Sequence, residues 1–190
     1  MLFNIPSVCY PIGERLAKRL MTIPNICGFK QANPSPAATA SLREAIGDQV
    51  VISVADESPW LQNLAIGEDQ WLLNYTPHLY QTPGYLPIND YTDAVLAGDM
   101  NTAVEIARTL NPIRAVLARW VNGYGRPTAR LPVHEQKVWM EYLGMAGGPV
   151  RAPATPMTED AKRTLRNELA ATGILAKVGQ RPQPALKIAV

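Results

Sequence analysis

Hydrophobic residues fall into short unbroken runs in the first part of the chain and recur every three or four positions in the second. The runs LFNI, ICGFK, VVISV and QWLLNY predict strands at residues 2–5, 26–30, 50–54 and 70–75. The segments between them, GERLAKRLMT, AATASLREAI and residues 57–65, predict helices. Apolar strands alternating with helices are typical of a parallel sheet covered on both faces. The first part therefore predicts an α/β fold, either a βα-barrel or a doubly wound sheet.

From Asp90 onward the pattern is entirely helical. The segment DYTDAVLAGD predicts a helix capped by Asp90, and the apolar stripe that follows, residues 100–120, predicts a long helix bent at Pro112. VHEQKVWMEYLGM predicts another helix, and the last is capped by Thr158 and ended by Gly173. We divide the chain into βα units at 1–88, covering and C-terminal helices at 89–178, and a loosely held tail at 179–190.

Composition excludes several classes of function. The 190 residues are 47% hydrophobic and 18% charged with a net charge of +2, which suits a soluble globular domain and predicts no nucleic-acid partner. No apolar run approaches ~18 residues and no signal peptide is recognisable, so we expect no membrane partner and a cytoplasmic location. Cys9, Cys27, His78 and His134 lack ligand spacing, so we expect no metal site.

The second predicted strand ends on an amine, Lys30. Side chains alternate along a strand, so Ile26, Gly28 and Lys30 should share one face, with Phe29 on the other. A lysine buried at the carboxyl end of a barrel strand has a lowered pKa and becomes a nucleophile for carbonyl groups. Spacing alone leaves open that Lys30 extends into solvent and has no chemical role.

The segments FNIPS and RLAKRLMTIPNICGFKQA resemble the dihydrodipicolinate synthase and N-acetylneuraminate lyase family, whose members carry Tyr-Asn-x-Pro and Gly-x-Lys-(Glu/Asp) strands. The resemblance continues through GDQVVISVADE and AGDMNTAVEIARTLNPI to LGMAGGPVRAPATPMTEDAKRTLRNELAATGIL. It implies a TIM (β/α)8 barrel with a C-terminal helical extension. It also implies that Lys30 forms a Schiff base with pyruvate or another 2-keto acid, without a metal or other cofactor. Family members form dimers and tetramers, so a homo-oligomer is expected.

The resemblance begins at what is similar to the fifth strand of the barrel. A complete barrel needs about 250 residues, so we expect this chain to represent the second half, four βα units, with the remainder supplied by a longer polypeptide or another chain.

Several positions depart from the family pattern. Phe3 replaces the tyrosine of the first strand, so its ring can pack over the Schiff base but has no hydroxyl for proton transfer. Val8 replaces the arginine that holds a second substrate's carboxylate in the synthases, which favours a 2-keto-3-deoxy sugar acid or related substrate. Ala55 replaces a glycine beside Asp56, and Gln70 and Leu73 replace a glycine and a serine. We expect Ala55, Asp56, Leu72 and Val8 to contact substrate, and Trp71 to face the outer helices.

Two interpretations follow from these departures. The first is a lyase or aldolase acting on 2-keto acids through Lys30, and the second is a catalytically silent or ligand-binding relative, favoured by Phe3. A doubly wound nucleotide-binding module is a third alternative, but no glycine-rich turn follows a predicted strand.

Overall fold

The fold is described from a computed structural model, which covers residues 1–5, 9–32, 35–66, 71–74, 76–122 and 131–179. The chain divides into two compact units, Met1–Thr76 and Pro77–Val190. Among the residues that the structure describes, none of the helices has the length and apolar character needed to cross a membrane.

The first unit is built on a parallel sheet in the order β1-β2-β3. These strands are β1 (Leu2–Asn4), β2 (Gly28–Gln31) and β3 (Val51–Val54). The predicted fourth strand is represented in the described residues by one parallel bridge between Val54 and Leu72, while Gln70 and Tyr75 lie outside them. Parallel β/α units, as predicted, therefore make up this unit.

The helices of the first unit are α1 (Glu14–Leu20), α2 (Pro36–Ile46) and α3 (Trp60–Ala65). The core between the sheet and α1 and α2 consists of Ala17, Phe29, Leu42, Ile46 and Ile52, all at most 2% exposed. Burying aliphatic and aromatic side chains in this way stabilises each by roughly 1.5–3 kcal/mol, and here it fixes one face of the sheet against the helices.

The second strand differs from its predicted bounds. It begins at Gly28 instead of Ile26, and it continues one residue beyond Lys30 to Gln31. Ile26 precedes the strand and packs against the same core as Phe29, so the predicted alternation holds only from Gly28 onward. The third helix begins at Trp60 instead of residue 57, because Asp56 Oδ1 accepts a hydrogen bond from the Ser58 backbone N–H in a turn that precedes it.

The second unit is helical in its described residues. It contains a 3₁₀ turn (Pro77–Tyr80), α4 (Pro87–Leu96), α5 (Met100–Thr109), α6 (Asn111–Trp120), α7 (Val133–Tyr142), α8 (Glu159–Ala171) and a second 3₁₀ turn (Ile174–Lys177). Its fully buried side chains include Trp139, Tyr80, Tyr91, Leu110, Leu165 and Leu169.

Two helix starts in the second unit correct the prediction. Helix α4 begins at Pro87, whose fixed φ suits the first turn, so Asp90 lies inside the helix and is not its cap. The long predicted helix is two helices that meet at Leu110, because Pro112 has no N–H to donate to the preceding turn. The Thr158 cap is confirmed, since its side chain accepts a hydrogen bond from the Ala161 N–H at 3.2 Å. Gly173, at φ +80°, ends the helical segment as predicted, and residues 180–190 of the predicted tail lie outside the described residues.

Candidate functional site

Lys30 lies in the middle of a row of three side chains across the sheet. The strand register pairs Phe3 on β1 with Lys30 on β2, and Lys30 with Ser53 on β3. Residues paired in this way project from the same face of a parallel sheet. The neighbouring row Leu2–Phe29–Ile52 belongs to the helix-packed core. Phe3, Lys30 and Ser53 therefore project from the face opposite to the helices, which we call the lysine face.

The residues that follow Phe3 and Lys30 in sequence hold the two strands together from the other side. Asn4 and Gln31 are 2% and 4% exposed, and Asn4 Nδ2 donates a 2.7 Å hydrogen bond to Gln31 Oε1. Asn4 also exchanges two 2.9 Å hydrogen bonds with the backbone of Ile12. Phe3 and Lys30 thus lie on the lysine face. The residues that follow them, Asn4 and Gln31, form a buried amide network that fixes the positions of the two strands.

The ammonium group of Lys30 lies against an aromatic ring. Its Nζ is 4.4 Å from the centroid of the Phe3 ring, close enough for a cation–π interaction. Partial burial lowers the pKa of Lys30 below the ordinary lysine value, because desolvation disfavours the charged form. No carboxylate in the described part of the chain forms an ion pair with this amine. Lys30 is thus a partly desolvated amine that makes no ion pair within the described ranges.

The segment after α3 adds apolar side chains to the same face. The Val54–Leu72 bridge puts Leu72 on the side of Val54, the helix side, with Trp71 and Leu73 alternating to the lysine face. Trp71 is 64% exposed, so it does not pack against the outer helices as predicted. The structure therefore places Leu72 on the helix side, and Trp71 and Leu73 extend the edge of the lysine face, separated from β2 by β3.

The predicted acidic position lies just beyond β3. Ala55 follows Val54, and its N–H donates to the Gln31 carbonyl at 3.1 Å, which extends the pairing of β2 and β3 by one hydrogen bond. Asp56 is exposed in the turn before α3, whereas the adjacent Glu57 is buried at 1% exposure. Val8, the remaining predicted substrate contact, lies outside the described residues.

The other candidate groups are not members of this row. Cys9 and Cys27 are free and exposed. In the second unit, burial lowers the pKa of His78, and the buried His134 accepts a hydrogen bond at Nδ1 from the Met157 N–H. Within the described ranges, no three His, Cys, Asp or Glu side chains are grouped so that they can hold a metal ion.

Ser53 is the member of the row that sequence reasoning missed. It is 0% exposed, and its hydroxyl donates a long 3.4 Å hydrogen bond to the Phe29 carbonyl. A serine in the otherwise aliphatic run VVISV was the available signal. The sequence alone does not say which residue of β3 lies beside Lys30. The strand register was therefore needed to identify Ser53 as that residue.

Parallel β/α units with a partly desolvated lysine near the carboxyl end of a strand match the TIM-barrel architecture, in which functional residues lie at the carboxyl ends of the strands. The sequence matches the Dihydrodipicolinate synthetase family over residues 1–172, and the chain belongs to this family. The family consists of pyruvate-utilising lyases and aldolases with the TIM-barrel fold.

Individual relatives agree with this assignment. A 4-hydroxy-tetrahydrodipicolinate synthase of Synechococcus sp. is 30% identical over 172 residues, which are 90% of this chain and 52% of that protein. The solved 4-hydroxy-tetrahydrodipicolinate synthase of Methylacidiphilum fumariolicum SolV is 25% identical with a TM-score of 0.67, covering 94% of this chain and 55% of that one. A dihydrodipicolinate synthase from Acinetobacter baumannii, solved with pyruvate, has the same fold at 21% identity and a TM-score of 0.65, covering 91% and 55%. The chain therefore spans about half the length of the curated relatives it matches.

Proposed function

We propose that this chain carries the Schiff-base lysine of a 2-keto acid lyase or aldolase and represents the second half of the barrel. In this proposal Lys30 is the nucleophile. The substrate is pyruvate or a 2-keto-3-deoxy sugar acid. The complete reaction requires the remaining βα units of the family fold.

The observation that carries the proposal is the environment of Lys30. Its amine is partly buried, its pKa is lowered by desolvation, and it makes no ion pair with a described carboxylate. A surface lysine without a chemical role is normally hydrated and charged at neutral pH. Desolvation increases the neutral fraction, which is the form able to attack a carbonyl carbon.

The chemistry needs only the amine and the keto acid. Neutral Lys30 Nζ adds to the C2 carbonyl, and the oxygen leaves as water once it has gained two protons, which produces an iminium cation. Loss of a proton from C3, or cleavage of a C3 bond, leaves its electron pair in a neutral enamine. The Phe3 ring, already 4.4 Å from Nζ, is placed to stabilise the positive charge of the iminium. No metal or other cofactor takes part in this sequence of steps.

The choice of substrate class depends on two observations: the ligand bound to a relative, and the lack of a charged side chain at position 8 that could hold a second carboxylate. The relative from Acinetobacter baumannii is complexed with pyruvate, the smallest 2-keto acid. Val8 has no charge with which to hold a second carboxylate, so we favour a sugar-acid aldol partner over aspartate semialdehyde. Trp71 and Leu73 add exposed apolar surface next to β3, which is unsuited to holding a second carboxylate.

The test is covalent trapping. Incubation with pyruvate and borohydride should reduce the iminium to a stable secondary amine and add one reduced pyruvyl group. Peptide mapping by mass spectrometry should place this group on Lys30. Lys30→Ala should abolish it, whereas Lys18→Ala, which removes an exposed lysine of α1, should leave it unchanged.

Two results would contradict the proposal. One is the absence of any adduct on the folded wild-type chain. The other is an adduct distributed over several lysines and equally abundant in the Lys30→Ala variant. Either result would favour the catalytically silent relative, for which the missing hydroxyl of Phe3 is the supporting observation.

A further inference from the structure

We propose that Ser53 is a catalytic residue that transfers protons at Lys30 Nζ while the Schiff base forms. The inference rests on the proposed function and adds a role for a side chain that neither the sequence motifs nor the family match identifies. It starts from a chemical requirement. When an amine adds to a carbonyl, a proton must leave nitrogen and oxygen must gain protons before it can depart as water.

The row that contains Lys30 offers a single hydroxyl. Phe3 flanks the lysine on one side with a ring that has no exchangeable proton, and Ser53 flanks it on the other. Neighbouring strands lie about 4.8 Å apart, so the Ser53 side chain lies directly beside the start of the Lys30 side chain on the same face. In the structure Nζ lies over the Phe3 ring, so the proposed role requires the long Lys30 side chain to rotate toward Ser53, which would bring the nitrogen to the hydroxyl directly or through one water molecule.

The Ser53 hydroxyl is also available for this role. Its hydrogen bond to the Phe29 carbonyl is 3.4 Å long, well beyond the usual 2.7–2.8 Å of an O–H···O bond. No further hydrogen bond of the Ser53 hydroxyl is found in the described part of the chain. At 0% exposure, this polar group lies in a buried position without a strong partner. Buried hydroxyls normally make good hydrogen bonds, so a weakly bonded one beside a reactive amine indicates a chemical role.

The proton transfers balance as follows. The neutral Nζ forms a bond to C2, and the carbonyl electron pair moves to oxygen. Ser53 Oγ accepts a proton from the positively charged nitrogen and gives its own proton to the oxygen, so serine is unchanged. A second proton, from solvent, lets the oxygen leave as water while the nitrogen lone pair completes the C=N bond.

A pair of substitutions with the same shape tests the role of the hydroxyl. Ser53→Thr and Ser53→Val add the same volume to the buried site, and they differ only in that threonine retains the hydroxyl. With pyruvate and cyanoborohydride, we expect the valine variant to form the Lys30 adduct about 10²-fold more slowly than the threonine variant, the lower end for general acid–base catalysis. The ratio should be largest near neutral pH and fall in concentrated carboxylate buffers, which supply an external proton carrier.

The outcomes separate this inference from the proposed function. Equal adduct rates for the two variants at every pH, on a wild-type chain that does form the adduct, would overturn the role of Ser53 and leave the Schiff base at Lys30 standing. A folded wild-type chain without any adduct would overturn both. Equal melting temperatures for the two variants, measured by circular dichroism, establish that the comparison reports chemistry and not folding.

Discussion

At the scale of single residues, the proposed reactivity of Lys30 depends on three things: how much water reaches its amine, the Phe3 ring on one side of it and the Ser53 hydroxyl on the other. Desolvation lowers the pKa of Lys30, whereas the Phe3 ring favours the charged form and opposes that change. The same ring favours the iminium, which is also a cation. Phe3 therefore affects the pH dependence of the reaction as well as the stability of its intermediate.

Replacing Phe3 with leucine should separate these effects. Leucine keeps apolar volume beside the amine but removes the ring face, which for a half-exposed pair contributes about 0.5–1 kcal/mol. Without the ring face the charged form loses this stabilisation, so the pKa of Lys30 should fall further. The midpoint of the adduct rate against pH should move to lower pH.

Phe3→Trp is the control for this substitution, because it keeps an aromatic ring face without adding a hydroxyl. Its midpoint should not fall below that of the wild type. A midpoint that rises in the leucine variant would show that the ring acts mainly by excluding water from Lys30, and would contradict the cation–π explanation.

At the scale of secondary-structure elements, the site depends on how β1 and β2 are fixed together. The Asn4 side chain joins Gln31 on the neighbouring strand to the Ile12 backbone ahead of α1. Each of these bonds lies on the side of the sheet opposite to the chemistry. The amide network thus holds Phe3 and Lys30 in register without occupying the face on which a substrate would bind.

Asn4→Ala should therefore be strongly destabilising. It removes three hydrogen bonds and leaves Gln31 Oε1 without that partner in a buried position, at about 1–3 kcal/mol for each unsatisfied buried group. We expect a total loss of about 2–4 kcal/mol in urea denaturation. Asn101→Ala, an exposed substitution in α5, should change stability by less than about 0.5 kcal/mol. A similar small loss for Asn4→Ala would contradict the role of the network.

In the second unit, the N-terminal cap of α8 can be tested by substitution. Thr158 accepts a hydrogen bond from the Ala161 N–H, one of the backbone donors that the first turn leaves free. Thr158→Ala should lower the free energy of unfolding by about 1 kcal/mol, and Thr158→Ser should restore most of it. Calorimetry of the three proteins measures both changes, and identical melting temperatures would mean that the cap contributes nothing.

At the scale of the whole molecule, a chain matched over about half the length of its relatives carries a lysine that serves the first half of the proposed reaction. Formation of the iminium and enamine requires the amine and a proton acceptor, whereas completing an aldol reaction requires a site for the second substrate. Homo-oligomerisation stays a prediction, which sedimentation analysis of the purified protein can test.

Enamine formation can be measured without a second substrate. In deuterated water, the methyl protons of pyruvate should exchange with solvent in the presence of the chain, because the iminium makes the C3 protons acidic. The loss of the methyl signal in proton NMR should disappear with Lys30→Ala and persist with Lys18→Ala. Covalent trapping without exchange would support a ligand-binding relative that forms the Schiff base and stops there.

The residue patterns predicted local structure well where the signal was local. The apolar runs that alternate with helical segments predicted parallel β/α units, and Thr158 and Gly173 predicted the ends of α8. The helix predictions were less accurate near prolines. Pro87 moved the start of α4 ahead of the predicted cap, and Pro112 divided the long predicted helix into two helices that meet at Leu110.

The sequence by itself determined that this protein has apolar strands alternating with helices, a lysine near the end of one strand and a phenylalanine in the strand before it, because these depend on residue type and short spacing. Only the tertiary structure decided which side chains share a face with that lysine. Strand register placed Ser53 beside Lys30, and it turned Leu72 away while bringing Trp71 to the lysine face. The physical reason is that side chains alternate along a strand, so a shift of one residue in pairing exchanges the two faces, and pairing is set by packing between segments far apart in the chain.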